Sequence, residues 1–210
     1  MRNVCVTGWY YPVGAMRLCR QLEDRGLDVT VIAHRPPPEA ISSLAISVPD
    51  IGLEFGSYSY YLKHVWAGGD TLLMHDDIDT TPETIIDLFV QRDRHQLDMG
   101  YVWRDMTMAK ENGFHHGRAI MCSHRYLDLL SRGRGIWFDA DNHGQLTGPG
   151  VNRGCHHFWA TAECLAQEDP TVKFGALVAP IDFGFRGILG ADGRANAAAY
   201  RSSSQELVHA

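Results

Sequence analysis

DTLLMHDDID, residues 70–79, joins a short apolar run to three acids and a histidine. The run is too short for a buried helix and is bounded by polar residues, which predicts a buried strand. In a parallel α/β sheet, ligands gather beyond the carboxyl ends of the strands. Asp76, Asp77 and Asp79 would stand at such an end. Carboxylates this close repel one another unless a cation or several N–H groups compensate. Mg²⁺ and Mn²⁺ prefer hard oxygen ligands, and one or two carboxylates plus substrate phosphates complete their shell. The cluster is therefore expected to hold a metal against a diphosphate. The plainer alternative makes one Asp the cap of the next helix and leaves the others solvated.

The segments on either side agree with a parallel sheet. NVCVTGW (3–9) reads as a buried strand. VGAMRLCRQLEDRG (13–26) places Met16, Leu18, Cys19 and Leu22 on one helical face and ends at Gly26. LDVTVIAH (27–34) is a second strand, and three prolines in RPPPEA stop it. LAISVP (44–49) is a short third strand. EFGSYSYYLKHVWAGG (54–69) is helical, with Tyr58, Tyr61, Leu62 and Val65 on one face. TPETIIDLFVQRD (81–93) is a helix capped by Thr80 or Thr81, with Pro82 in its first turn. MGYVW (99–103) and GRAIMCS (117–123) are strands, and HRYLDLLSRG (124–133) is a helix. FDADNHGQLTGPGVNRG (138–154) is a long Gly- and Asp-rich loop of a length that points to function. CHHFWATAECLAQED (155–169) is a helix. The fold class expected is α/β, one domain over residues 1–190, with 191–210 as a loose tail.

The chain has 210 residues, a formal net charge of −6 and a pI of about 6.0. A protein built to hold nucleic acid usually carries a basic stripe, and Arg and Lys are scattered here. The five cysteines are odd in number and include no CxxC pair, which predicts reduced thiols in a cytoplasmic protein. The N-terminus is too polar for a signal peptide. No apolar run approaches the ~18 residues that span a membrane.

The order strand–helix–strand, then PDIGLEFGSYSYYL, then DTLLMHDDID, resembles a GT-A-type glycosyltransferase. The likeness covers residues 3–80. It implies a GT-A-like, Rossmann-like sheet, a nucleotide-diphospho-sugar donor, and Mn²⁺ or Mg²⁺ at a DxD-type motif. Asp77 matches the metal ligand. Asp76 and Asp79 compete for the second acid, near the ribose or the metal, because both Asp76-Asp77 and Asp77-Ile78-Asp79 fit the motif. His75 stands where many relatives have an acid or an amide. Asp50, Gly52 and Glu54 match the segment that contacts the nucleotide. Thr7, Gly8 and Trp9 follow the first strand, where the base is met, and Trp9, Tyr10 and Tyr11 offer stacking faces; packing in the core is their plainer role.

Further along, the resemblance implies a late histidine or acid near the metal or acceptor. Asp139, Asp141 and His143 fit that role, with His156 and His157 as alternatives. Glu163 and Asp141 are the candidate bases of an inverting reaction. Arg186 is a candidate partner for the diphosphate, since a guanidinium binds phosphate in a fork. The implied reaction moves a sugar to an acceptor hydroxyl on a glycan, a protein, a small molecule or a modified nucleic-acid base.

Three other classes compete. His75-Asp76 spells HD, and His64, His115, His116 and Asp182 complete the residue set of a metal phosphohydrolase, but such enzymes are all-helical. Nucleotidyl transfer needs similar acids plus a Gly-rich phosphate loop, of which TGWYYPVG is a poor version. A scaffold or nucleotide-binding protein with a degenerate transferase fold is the third.

Overall fold

The side chains of the first and fourth strands alternate between two apolar layers, as a strand buried on both faces requires. In this computed structural model, which describes residues 1–49, 53–103, 119–133, 135–136, 164–178 and 184–185, β1 runs Arg2–Gly8 and β4 runs Asp70–His75. Val4, Val6, Leu72 and Met74 enter one layer, whereas Cys5 and Leu73 enter the other.

Between these strands lie α1 (Val13–Glu23), β2 (Asp28–Ala33), a 3₁₀ segment (Glu39–Leu44), β3 (Ala45–Ser47) and α2 (Leu53–His64). After β4 come β5 (Ile78–Asp79), α3 (Pro82–His95), β6 (Met99–Trp103), β7 (Ala119–Cys122), α4 (His124–Arg132), β8 (Phe174–Val178) and β9 (Gly184–Phe185). Seven strands form one sheet in the order β3-β2-β1-β4-β7-β6-β8. All neighbours are parallel except β7, which is antiparallel to both β4 and β6. The expected single α/β domain with a mostly parallel sheet flanked by helices is what forms. A separate antiparallel pair joins β5 to β9, with Ile78 opposite Phe185.

Two cores sandwich the sheet. One layer gathers Met16, Cys19 and Leu22 of α1 with Ile85, Leu88 and Phe89 of α3. The other gathers Phe55, Tyr58, Tyr61 and Leu62 of α2 with Tyr126, Leu127 and Leu130 of α4. Each fully buried aliphatic or aromatic side chain contributes roughly 1.5–3 kcal/mol. Helices of 9 to 14 residues are marginal alone, so burial rather than propensity holds them.

Local chemistry sets the ends. The Thr81 hydroxyl oxygen accepts from the Thr84 N–H at 3.2 Å, which settles the cap of α3 in favour of Thr81 over Thr80. Gln96, at φ 52°, closes α3 in the left-handed region that sequence patterns assign to glycine. The helix expected over 54–69 stops at His64, because Gly68 and Gly69 adopt φ of 118° and 96°. A side chain at Gly69 would place Cβ 2.6 Å from the Met1 carbonyl oxygen. Two strands, β8 and β9, and the 3₁₀ segment have no counterpart in the sequence-based expectation. Cys5, Cys19 and Cys122 are buried free thiols, and burial pushes all three up, Cys19 to about 12. No helix among the described residues is long and apolar enough to cross a membrane.

Candidate functional site

From β1 the chain steps outward to β2 and β3, then returns to β4 on the other side of β1. The carboxyl ends of β1 and β4 therefore flank a topological switch point, where open α/β sheets hold their ligands. Thr7 pairs with His75 across this point, and the Asp76 N–H donates to the Thr7 carbonyl at 3.1 Å. His34, directly after β2, reaches the same level through its N–H to the Gly8 carbonyl at 3.0 Å.

The loop after β1 is tied to Asp76. One oxygen of that carboxylate, Oδ2, accepts from the backbone N–H groups of Trp9, Tyr10 and Tyr11 at 2.8, 2.6 and 2.8 Å. Three successive N–H groups converge on one atom because Tyr11 takes φ 52°, the left-handed turn of an anion-binding nest. The Tyr11 hydroxyl donates to the Arg35 carbonyl at 2.7 Å and fixes the loop to the end of β2. Gly8 is required beneath that ring. A Cβ there would lie 2.6 Å from Tyr11 Cε1 and 2.8 Å from Val31 Cγ1.

His75 lies between the acids. Its Nδ1 is 3.0 Å from Asp77 Oδ1 and 3.3 Å from Asp76 Oδ1. Nδ1 also lies 3.3 Å from the Asp77 backbone nitrogen. Nδ1 without a proton accepts from this N–H, and Nδ1 with a proton faces the two carboxylate oxygens. Burial pulls the His75 pKa down, while the hydrogen bond to Asp77 and the charges of Asp76, Asp77 and Glu54 push it up; the balance lies above its ordinary 6.5. Asp76 moves upward as well: burial outweighs His75 and the three N–H groups. Tyr58 of α2 joins the cluster, its hydroxyl raised by burial and by the carboxylates of Glu54 and Asp77. The sequence motif thus gathers Thr7, Gly8, Trp9, Glu54, Asp76 and Asp77 around one switch point.

An aromatic wall borders the acids. The Arg35 guanidinium lies 4.4 Å from the centroid of the Trp9 ring, covering one face of the indole. His34 approaches Trp9 at 5.9 Å between centroids, and Tyr10 approaches His75 at 6.0 Å. His34 Nε2 is held 2.5 Å from the hydroxyl of Ser57, a buried residue of α2. His34 and Ser57 escaped the sequence reading. The signal was present, because His34 follows a parallel strand as Asp76 follows β4.

Asp50, Gly52, Asp139, Asp141, His143, His156, His157, Glu163 and Arg186 fall outside the described residues, as do 191–210 and the phosphohydrolase residues His115, His116 and Asp182. The backbone of Asp79 pairs with Gly184, and its side chain is outside the description. Among the described residues no group of three or more His, Cys, Asp or Glu is arranged to hold a metal ion. His64 ends α2 about 15 Å along the helix axis from Glu54, so it does not join His75.

No protein-family model matches the chain, and no curated protein matches it in sequence. Among solved structures it is similar to a CMP:2-keto-3-deoxy-manno-octonic acid synthetase complexed with CTP. That likeness has 11% identity, covers 100% of this chain and 99% of the other, and has a TM-score of 0.49. The apo-form glycosyltransferase GlyE of Streptococcus pneumoniae TIGR4 is 13% identical, with 96% of this chain and 59% of that one covered, at a TM-score of 0.37. Neither likeness transfers a residue's role.

Proposed function

We propose that the chain is a glycosyltransferase that takes its sugar from a nucleotide-diphospho-sugar bound at the β1/β4 switch point. The observation that carries this reading is the meeting of the His75-Asp76-Asp77 cluster with the Trp9–Tyr11 loop and Glu54 at that switch point. It also favours glycosyl over nucleotidyl transfer. The loop N–H groups that would cradle a triphosphate are spent on Asp76. The all-helical phosphohydrolase reading is disfavoured because His75 closes a central strand.

Mn²⁺ or Mg²⁺ fits the donor set in kind: hard carboxylate oxygens at a strand's carboxyl end, with an imidazole beside them. Asp77 and Asp79 would hold the ion, with His143 as a further ligand, and the ion would act as a Lewis acid toward the departing diphosphate. The chain's own residues carry the rest. Tyr10, 36% exposed, and the edge of Trp9 offer the base an aromatic border. His75 brings an N–H toward the region of negative charge. Glu163 or Asp141 would accept the acceptor hydroxyl's proton if the reaction inverts.

A thermal-shift screen of UDP-, GDP-, ADP- and TDP-sugars with and without Mn²⁺ tests the reading. A ligand at 100 times its Kd stabilises by about 2.7 kcal/mol. One nucleotide class should shift the unfolding midpoint, and Asp77→Ala should lower transfer or donor hydrolysis at least a hundredfold. Full metal-dependent transfer by Asp77→Ala, or no shift with any nucleotide, would sink it.

A further inference from the structure

We infer that Asp76 is a positioning residue of the donor site: its Oδ2 holds the Trp9–Tyr11 loop in the shape that meets the donor. The inference rests on the donor-site reading above and narrows it: of the two acids competing for the second role beside Asp77, Asp76 is already engaged. Its Oδ2 accepts three backbone N–H groups, and its Oδ1 faces His75 at 3.3 Å. Only 2% of the residue is exposed. A cation on Oδ2 would displace all three donors, so that oxygen is committed to the loop; Oδ1, which faces the cluster, has no hydrogen-bond partner among the described residues.

Held this way, the loop is set before any ligand arrives. Its left-handed Tyr11 is costly for a non-glycine residue and persists only where surroundings over-determine it. Asp76 supplies that restraint from one side and the Tyr11–Arg35 hydrogen bond from the other. Ordering the aromatic border in advance removes an entropic cost from binding. Asp76 therefore acts on donor affinity through Trp9 and Tyr10.

The test measures two quantities on the full chain: hydrogen exchange of the Trp9, Tyr10 and Tyr11 amides, and the Kd for UDP, GDP, ADP and TDP with and without Mn²⁺. In Asp76→Ala the three amides should exchange at least tenfold faster. Nucleotide affinity should fall at least tenfold both with and without Mn²⁺, so the ratio between the two conditions stays within twofold. Asp76→Asn keeps an acceptor oxygen and should restore most of both quantities; it also serves if the alanine variant does not fold. Across variants the loss of affinity should track the amide exchange. Affinity that falls while the amides stay slow, or selective loss of the Mn²⁺ effect, would overturn the role and return Asp76 to the metal. Fast amides with unchanged affinity would overturn the role alone. Absence of nucleotide binding by the wild-type chain would overturn the donor-site reading and this role with it.

Discussion

At the amino edge of the sheet Asp70 and Asp98 meet guanidinium groups, whereas at the carboxyl edge Asp76 and Asp77 meet an imidazole. Asp70 accepts from Arg92 Nη1 at 2.9 Å and from the His124 N–H at 2.7 Å. Asp98 accepts from the Ser123 hydroxyl and the Lys173 N–H, both at 3.0 Å, and from Arg125 Nη1 at 3.3 Å. Ser123 also caps α4 by accepting from the Tyr126 N–H. That edge joins β6, β8 and α4 by permanent charges and neutral donors. The carboxyl edge places Glu54, Asp76 and Asp77 around one titratable ring. A guanidinium stays charged at any ordinary pH, but an imidazole can lose its proton near neutrality. Fixed charge suits a staple, and a removable proton suits a place where a ligand's charge comes and goes.

The largest test of that contrast is Asp98→Ala. Three hydrogen bonds to a buried carboxylate vanish, and the Ser123 and Lys173 donors lose their partner. Hydrogen bonds to charged groups are worth about 1.5–3 kcal/mol each and do not add fully, so the loss should be about 3 kcal/mol in denaturant unfolding. Nucleotide affinity of the folded fraction should be unchanged. A variant that keeps its stability and loses nucleotide would reverse the two edges' roles.

Gly8→Ala presses on the other edge. Its Cβ would stand 2.6 Å from Tyr11 Cε1 and 2.8 Å from Val31 Cγ1. Overpacking of this kind costs about 1–3 kcal/mol. The Tyr11 ring is the part able to yield, and it is hydrogen-bonded to Arg35. Stability should fall by about 2 kcal/mol and the Trp9–Tyr11 amides should exchange faster. An alanine variant as stable as the wild type, with amides equally slow, would show that the loop is less tightly fitted than its geometry indicates.

The sequence exposed much of the amino-acid pattern behind these edges. The alternation in NVCVT and TLLM placed two central strands, and the spacing of Tyr58, Tyr61 and Leu62 placed a helix whose buried face is the one that forms. That acids follow directly on a central strand was legible too, since TLLM runs into His75, Asp76 and Asp77. What stayed hidden depends on contacts between distant segments. Asp76 and the loop it holds are 65 to 67 residues apart, and only the pairing of β1 with β4 brings them together. Tyr11 and Gln96 adopt left-handed conformations that local propensity assigns to glycine. β8 was invisible because FGALV is short and its partner β6 gives no local sign of the pairing. The chain's later candidates, Asp141, His143 and Glu163, stand outside the described residues.

The smallest expected effect concerns His75. Its pKa in the folded chain lies above the ordinary 6.5, through the Asp77 hydrogen bond and the neighbouring carboxylates acting against burial. A group whose folded pKa is raised stabilises the fold fully below its unfolded pKa, and that contribution disappears as pH rises through the folded value. His75→Gln should therefore cost more stability at pH 6 than at pH 9, measured as the difference in denaturant midpoint between variant and wild type. Asp98→Ala, acting on the guanidinium-held edge, should show the same deficit at both pH values. If the His75→Gln deficit were equally flat, the ring would be a neutral packing residue, and the carboxyl edge would hold its acids together by the Trp9–Tyr11 N–H groups alone.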